Sequence, residues 1–168
     1  MIAQNLIGTF EFCKGCPTSK SCCTGKTVDR PVLTPRDIFN ISQNTKLSVD
    51  QFSVPVGNGL SEMKLCGTKC IFYKKGHCTL YNTRPIDCKI FPFDIRRNKK
   101  KELMLVWYTT ACPKKINAEV YEQAIRPLLA EIQPYFDQFA DNKSPLLDRQ
   151  KYRIIECPIQ KPKESFEN

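Results

Sequence analysis

The sequence is poor in histidine and has no long apolar stretch. His77 is the single histidine among 168 residues, which excludes a Cys2His2 zinc finger because that site needs two imidazoles. His77 stays open as a lone mixed ligand, although a histidine exposed on a hairpin is the simpler interpretation. The longest apolar run, Leu103 to Tyr108, is far shorter than the roughly 18 residues that span a membrane. We therefore expect no membrane contact.

Signals for export and for nucleotide binding are missing as well. Residues 1–12 contain neither a basic cluster nor a long apolar segment, so they do not resemble a signal peptide. We expect a cytoplasmic protein, because cysteines stay as thiols in that reducing compartment. Ahead of Gly25-Lys26-Thr27, Lys20 stands where a phosphate-binding loop requires its first glycine. That class of site is therefore excluded.

Basic side chains exceed acidic ones, 26 to 17, for a formal net charge of +9. A basic surface attracts nucleic acid or other polyanions, and Lys99-Lys100-Lys101 forms a local run. Few aromatic residues are interleaved with these charges, however, as stacking on single-stranded nucleic acid would require. Nucleic acid is therefore kept as an alternative partner behind a protein partner or a protein substrate.

Ten cysteines are the most informative feature of the composition. They make up about 6% of the chain, less than the roughly 8–10% typical of a short disulfide scaffold, and a chain of this length can bury a core without cross-links. Eight of them form two groups of four, the number that two four-coordinate thiolate centres require. The predicted metal ligands are Cys13, Cys16, Cys22 and Cys23 in the first group, and Cys66, Cys70, Cys78 and Cys88 in the second.

The adjacent pair Cys22-Cys23 predicts how these groups are shared. Side chains of consecutive residues diverge, so we expect the two sulfurs to serve different centres or different irons. The N-terminal and middle segments would then be held together by interleaved metal sites. Buried, unligated cysteines and disulfides are the alternatives to metal binding.

Other residues are secondary candidates. Cys112 is a candidate additional ligand or resolving thiol, with plain burial as the alternative, and Cys157 is not expected to be a ligand. Arg84 and Tyr81 lie within the cysteine-rich stretch and could contact a thiolate or a substrate. For both, a structural role in backbone hydrogen bonding or core packing is the simpler interpretation.

The pattern of apolar and capping residues predicts an α+β fold. Thr34-Pro35-Arg36-Asp37 and Ser48 with Val49 to Phe52 mark short helices, and two hairpins are expected over residues 71–81 and 93–109. Leu103, Leu105 and Trp107 alternate as in a half-buried strand. From Asn117 the apolar spacing is helical, with Pro127 and Pro134 expected to kink or divide the helix.

We therefore predict a small irregular cysteine-rich β core, organised by metal, with short hairpins packed against C-terminal helices. A single cysteine-cluster domain would cover residues 1–140, with the cysteine core at 10–113 and the helical part at 116–140. Residues 141–168 would form a C-terminal extension that is partly mobile, above all beyond Pro158.

These motifs resemble a known family, the YkgJ-type cysteine-cluster proteins, which are described as zinc- or iron-chelating domains. The resemblance covers Cys13 to about Pro113. It rests on the first cysteine cluster, on Leu33-Thr34 with Asp37, on the late Cys112-Pro113, and above all on the stretch formed by Cys78, Tyr81, Arg84-Pro85, Cys88 and Phe91-Pro92. Flagellin lysine N-methylases are distantly similar, since they carry a similar cysteine cluster that is associated with an iron–sulfur centre and methyl transfer.

Together these features predict a metal-binding protein that holds zinc or an iron–sulfur cluster, in two centres, through clustered thiolates. One alternative, implied by the resemblance, is an iron–sulfur methyltransferase acting on a protein lysine with S-adenosylmethionine, or a redox protein. A zinc module that binds nucleic acid is the second alternative. The residues favour a binding module over an enzyme, because no acid–base pair and no complete cofactor fingerprint stands out.

Overall fold

The computed structural model describes Cys23 and residues 30–98, 100–108, 118–142 and 152–158; of 118–122 and 152–158 it describes the backbone. The described residues from position 30 onward form five helices, two 3-10 turns and four antiparallel sheets, which confirms the predicted α+β class. No helix within these ranges combines the length and the apolar character needed to cross a membrane.

The first sheet contains three antiparallel strands in the order β1-β3-β2. A helix begins directly after its first strand, and a second, shorter helix precedes the next strand. The elements are β1 (Val32–Leu33), α1 (Pro35–Thr45), α2 (Val49–Phe52), β2 (Ser53–Gly57) and β3 (Leu60–Met63).

Both short helices predicted in this part of the chain, after Thr34 and after Ser48, are present. The Thr34 hydroxyl accepts a hydrogen bond from the Asp37 amide, and the Asp37 carboxylate accepts one from the Thr34 amide, so the two residues form a capping box. Pro35 occupies the first turn, where its missing N–H removes no helical hydrogen bond. Helix α1 is longer than the predicted motif and ends before Lys46, which has a left-handed φ of 61°.

The cysteine-rich segment folds into two short hairpins followed by a small helix. The first pairs β4 (Leu65–Cys66) with β5 (Lys69–Cys70), and the second pairs β6 (Tyr73–Lys74) with β7 (His77–Cys78). Lys75 and Gly76 form the turn of the second hairpin with φ values of 47° and 83°, as a two-residue type I′ turn requires. This hairpin was predicted with longer strands, but Tyr81–Thr83 instead forms a 3-10 turn that leads into α3 (Ile86–Ile90).

The second sheet has the strand order β10-β9-β8 and is also antiparallel. Its strands are β8 (Phe93–Arg97), β9 (Leu103–Tyr108) and β10 (Tyr152–Pro158). The predicted hairpin of β8 and β9 is confirmed. Strand β10 was not predicted, because residues 141–168 were assigned to a C-terminal extension. The mobility predicted beyond Pro158 falls outside the described residues.

Strand β9 differs from its predicted half-buried pattern. Leu103, Leu105 and Trp107 pack towards the main core, as alternation predicts. Met104, Val106 and Tyr108 on the opposite face are buried as well, with Phe91 packed against them. The prediction of one exposed face was therefore wrong, because chain preceding β8 covers that face.

The C-terminal helical region comprises α4 (Ala118–Ile132), a 3-10 turn at Gln133–Tyr135 and α5 (Phe136–Asp141). Pro134 lies in the 3-10 turn that separates the two helices, as predicted, whereas Pro127 remains inside the continuous helix α4. The predicted core positions Ile132 and Phe139 are buried in the cluster that also contains Ile95 of β8 and Leu105 of β9, and the predicted position Ala124 is buried as well.

A buried ion pair lies on the second face of this sheet. Arg96 donates from Nε and Nη2 to Oδ2 of Asp94, both at 2.9 Å, and Tyr108 donates from its hydroxyl to the same oxygen at 3.1 Å. The amide of Ile95 donates to the other oxygen of Asp94 at 2.9 Å. The next residue, Arg97, points to the opposite face and pairs with acidic residues of α5 nearer solvent.

This arrangement predicts different effects for two neighbouring arginines. Arg96→Gln leaves the Asp94 carboxylate buried without its counter-charge and should lower the free energy of unfolding by about 3–5 kcal/mol. Arg97→Gln breaks a half-exposed pair and should lower it by about 1 kcal/mol or less. Urea unfolding followed by circular dichroism measures both variants, and equal losses would contradict the buried network.

Candidate metal centre

A cavity of about 80 Å³ lies where the cysteine hairpins, helix α3 and the second sheet meet. Cys23, Cys70, Cys78 and Cys88 all line it. They come from three separate places in the chain: the N-terminal segment, the two hairpins and helix α3. The fold therefore gathers four cysteines that are up to 65 residues apart in sequence around one space.

Three of the four cavity cysteines lie in elements whose bounds are described. Cys70 ends β5 opposite Leu65, and Cys78 ends β7 opposite Tyr73, so both hairpins deliver a thiol at the same end. Both side chains pack partly against the core cluster that includes Phe72. Cys88 lies in the first turn of α3.

The other predicted ligands do not join this group within the described residues. Cys66 is exposed in β4 and does not line the cavity. Cys13, Cys16, Cys22 and Cys112 lie outside the described residues. His77 is exposed at the hairpin turn, where its Nδ1 is 3.3 Å from the carbonyl oxygen of Lys75, in line with the simpler interpretation of this residue.

The described cysteines are not cross-linked to one another, since no disulfide joins any two of these five residues. Nor do three or more His, Cys, Asp or Glu side chains in the described ranges converge closely enough to hold one ion by themselves. A complete centre therefore needs a closer approach of the cavity thiols or further ligands from elsewhere in the chain.

Arg84 and Tyr81 form one wall of the cavity. The Arg84 guanidinium stacks on the Tyr81 ring with its Cζ 4.1 Å from the ring centroid, and its Nε donates to the Tyr81 carbonyl oxygen at 3.0 Å. The side chain is 8% exposed. A buried guanidinium keeps its charge, so this wall presents a positive charge to a space lined by thiols.

Two buried carboxylates hold helix α3 against the first sheet. Asp37 of α1 accepts from the Ile86 amide at 3.2 Å through Oδ1, and from the Thr34 amide at 3.0 Å through Oδ2. In the reverse direction, Asp87 of α3 accepts from the Val32 amide at 2.7 Å. Each segment thus provides a carboxylate that accepts a hydrogen bond from a backbone amide of the other segment, across 55 and 49 residues of sequence. Both contacts lie immediately before Cys88.

A family model matches residues 12–113, about three-fifths of the chain. The family is named CxxCxxCC and described as "Putative zinc- or iron-chelating domain". The chain belongs to this family. No curated protein and no solved structure matches the chain.

Membership of the CxxCxxCC family agrees with the resemblance found in the sequence and supports metal binding by this chain. The family name writes two residues between the second cysteine and the cysteine pair, whereas this chain has five between Cys16 and Cys22. All four cysteines that line the cavity, Cys23, Cys70, Cys78 and Cys88, lie within the matched residues. The cysteine pair that ends the family name therefore contributes Cys23 to a space lined mainly by later cysteines.

Several residues at the cavity were not predicted from the sequence. Asp87, Asp94 and Tyr108 line it as buried polar side chains. Asp87 directly precedes Cys88, and this adjacency to a predicted ligand is the signal that could have identified it from the sequence. Asp94 and Tyr108 lie on paired strands 14 residues apart, and no sequence pattern connects them. Burial, followed by the nearby charge of Asp94, raises the pKa of Tyr108, so its hydroxyl keeps the proton that it donates.

Asp37 is the buried carboxyl whose titration is most informative. Burial raises its pKa above the ordinary value of 3.8, and the hydrogen bonds from Thr34 and Ile86 only partly oppose that effect. Between the unfolded and the folded pKa, the folded state therefore binds more protons than the unfolded state. Asp37's contribution to the free energy of unfolding is then largest in acid and is lost as pH rises through the folded pKa.

The sign can be checked with Asp37→Asn, which does not titrate. The difference in free energy of unfolding, wild type minus variant, should increase as pH falls from 7 towards 4, because the protonated carboxyl no longer bears the desolvation cost. Urea unfolding of both proteins in matched buffers at four pH values measures this difference. A difference that shrinks in acid would mean that the hydrogen bonds outweigh burial.

Proposed function

We propose that the protein holds zinc or iron in a thiolate centre to which Cys23, Cys70, Cys78 and Cys88 contribute. The observation that carries this proposal is that these four side chains, from separate segments, line one cavity. Sulfur-only donor sets suit zinc and iron–sulfur clusters and disfavour hard cations. When bound, the metal would cross-link the hairpins to α3 and to the N-terminal segment.

A second centre would use the cysteines that remain: Cys13, Cys16, Cys22 and Cys66, with Cys112 as the additional candidate. The placement of Cys23 supports this interleaving, since it lines a cavity with three cysteines of the other predicted group. Its neighbour Cys22 would then be directed to the second centre. Both centres would clamp the N-terminal segment to the middle of the chain.

Arg84 supports an anionic centre at this cavity. Four thiolates around one divalent ion carry a net charge of −2, which a low-dielectric site stabilises poorly without a counter-charge. The guanidinium is held in place by the Tyr81 ring and carbonyl oxygen, so it can offset this charge without reorganising. Its role would be electrostatic rather than catalytic.

We favour a metal-binding module that acts with a protein partner. The second candidate is an iron–sulfur redox protein, or a methyltransferase acting on a protein lysine with S-adenosylmethionine. The observation in its favour is that apolar side chains line the same cavity as the thiols, which a substrate could contact. These are Met63, Phe72, Leu80, Phe91 and Phe93.

Metal analysis with an anaerobic absorption spectrum tests the proposal. The wild-type protein should contain about two zinc ions per chain without colour, or iron with broad absorption that dithionite bleaches. Cys88→Ser should remove the metal of one centre and Cys66→Ser that of the other, because each variant loses a ligand of only one site. Wild-type protein without bound zinc or iron would refute the proposal.

Cys157→Ser is the matched control, since this cysteine is not a proposed ligand. It should retain the full metal content under the same purification. A Cys88→Ser protein with wild-type metal content would remove Cys88 from the centre, and the cavity would then need another explanation.

Arg84 gives a separate prediction. Arg84→Met keeps much of the side-chain volume but removes the charge, and should weaken metal binding about tenfold, within the range seen for residues that support metal ligands. Arg84→Lys keeps the charge and should retain more of the affinity, although an ammonium stacks less well on Tyr81. Competition with a chromophoric chelator measures both variants, and unchanged affinity in Arg84→Met would leave Arg84 a purely structural role.

A further inference from the structure

Helix α3 is short, and its own hydrogen bonds do not fix its position. It spans only Ile86–Ile90, and its N-cap residue is Pro85, which contributes no side-chain hydrogen bond. Isolated helices of this length are unstable in water. The orientation of the Cys88 side chain must therefore depend on contacts that α3 makes with other parts of the fold.

Those contacts come from the two aspartates. Asp37 supplies the acceptor for the first amide of α3, that of Ile86, and so replaces the missing cap. Asp87, the second residue of α3, accepts from the Val32 amide in β1. One carboxylate from each side thus binds a backbone amide of the other, and Cys88 follows in the same helical turn.

The Asp37 carboxylate is itself held by hydrogen bonds. Asp37 is 5% exposed, and its Oδ2 accepts from both the amide and the hydroxyl of Thr34 at 3.0 and 2.9 Å. The Thr34 hydroxyl in turn accepts from the Asp37 amide at 3.1 Å. An acceptor with its own hydrogen bonds satisfied keeps its position, which is what an outer residue must do to orient a metal ligand.

We propose that Asp37 and Asp87 are positioning residues of the metal centre: together they hold the first turn of α3 so that the Cys88 sulfur faces the cavity. This inference rests on the proposed function. It goes beyond it by assigning a role to two side chains that need not bind the metal.

The test is competition for Co²⁺, and then Zn²⁺, between a chelator and the full-length protein. Asp37→Ala and Asp87→Ala should each weaken Co²⁺ binding about 10- to 100-fold and reduce the thiolate-to-cobalt absorption, because Cys88 is no longer held towards the ion. Asp87→Asn should retain both the Co²⁺ affinity and the absorption of the wild type, since its amide oxygen can still accept from the Val32 amide.

Phe139→Leu controls for a general loss of stability. Phe139 is fully buried in α5 and belongs to neither the carboxylate pair nor the cavity lining, so this variant should lower the thermal midpoint and keep wild-type affinity. If Phe139→Leu weakens binding as much as the aspartate variants do, the loss reflects stability and the positioning role is overturned.

Two further outcomes separate the two proposals. Wild-type affinity and absorption in both Asp37→Ala and Asp87→Ala would overturn the positioning role while leaving the metal centre intact. Wild-type protein that takes up neither Co²⁺ nor Zn²⁺ and also contains no iron when purified without oxygen would overturn the metal centre itself. An affinity lost in Asp87→Ala and regained in Asp87→Asn would support the positioning role directly.

Discussion

The cysteine half of the fold depends on two reciprocal hydrogen bonds between α3 and the segment formed by β1 and α1, each from a backbone amide to a buried carboxylate. Asp37 binds the Ile86 amide and Asp87 binds the Val32 amide, so a helix too short to be stable alone is docked at both of its first residues. Burial makes these contacts demanding, because a buried amide or carboxylate without a partner costs about 1–3 kcal/mol or more. Cys88 follows Asp87 directly and lines the cavity that Cys70 and Cys78 reach from their hairpins.

Charge is concentrated around this cavity although most of the core is apolar. Arg84, Asp87 and Asp94 are each less than 9% exposed and all line it, while Arg96 neutralises Asp94 from behind. A buried ion pair contributes little net stability compared with apolar packing, so the pair of Asp94 and Arg96 adds buried charge beside the four thiols without adding much stability. A metal–thiolate centre has the negative charge that the Arg84 wall would balance.

Local features were predicted well where the signal lies within a few residues. The capping box of Thr34 and Asp37, the turn at Lys75-Gly76 and the hairpin of β8 and β9 all follow from short-range backbone preferences and are confirmed. The burial of both faces of β9 and the strand β10 were missed. Both depend on chain that packs from elsewhere, namely Phe91 on one face and residues 152–158 along one edge.

The sequence by itself determined the chemistry of this protein: ten cysteines with one histidine, spaced for thiolate ligation, and motifs that place it among zinc- or iron-chelating domains. The tertiary structure alone decided which cysteines share a space, because Cys23 and Cys88 are separated by 65 residues and line one cavity only in the folded chain. Spacing along a chain restricts only near neighbours. The grouping of distant ligands is set by how α3, the hairpins and the second sheet pack, and packing is a property of the whole folded chain.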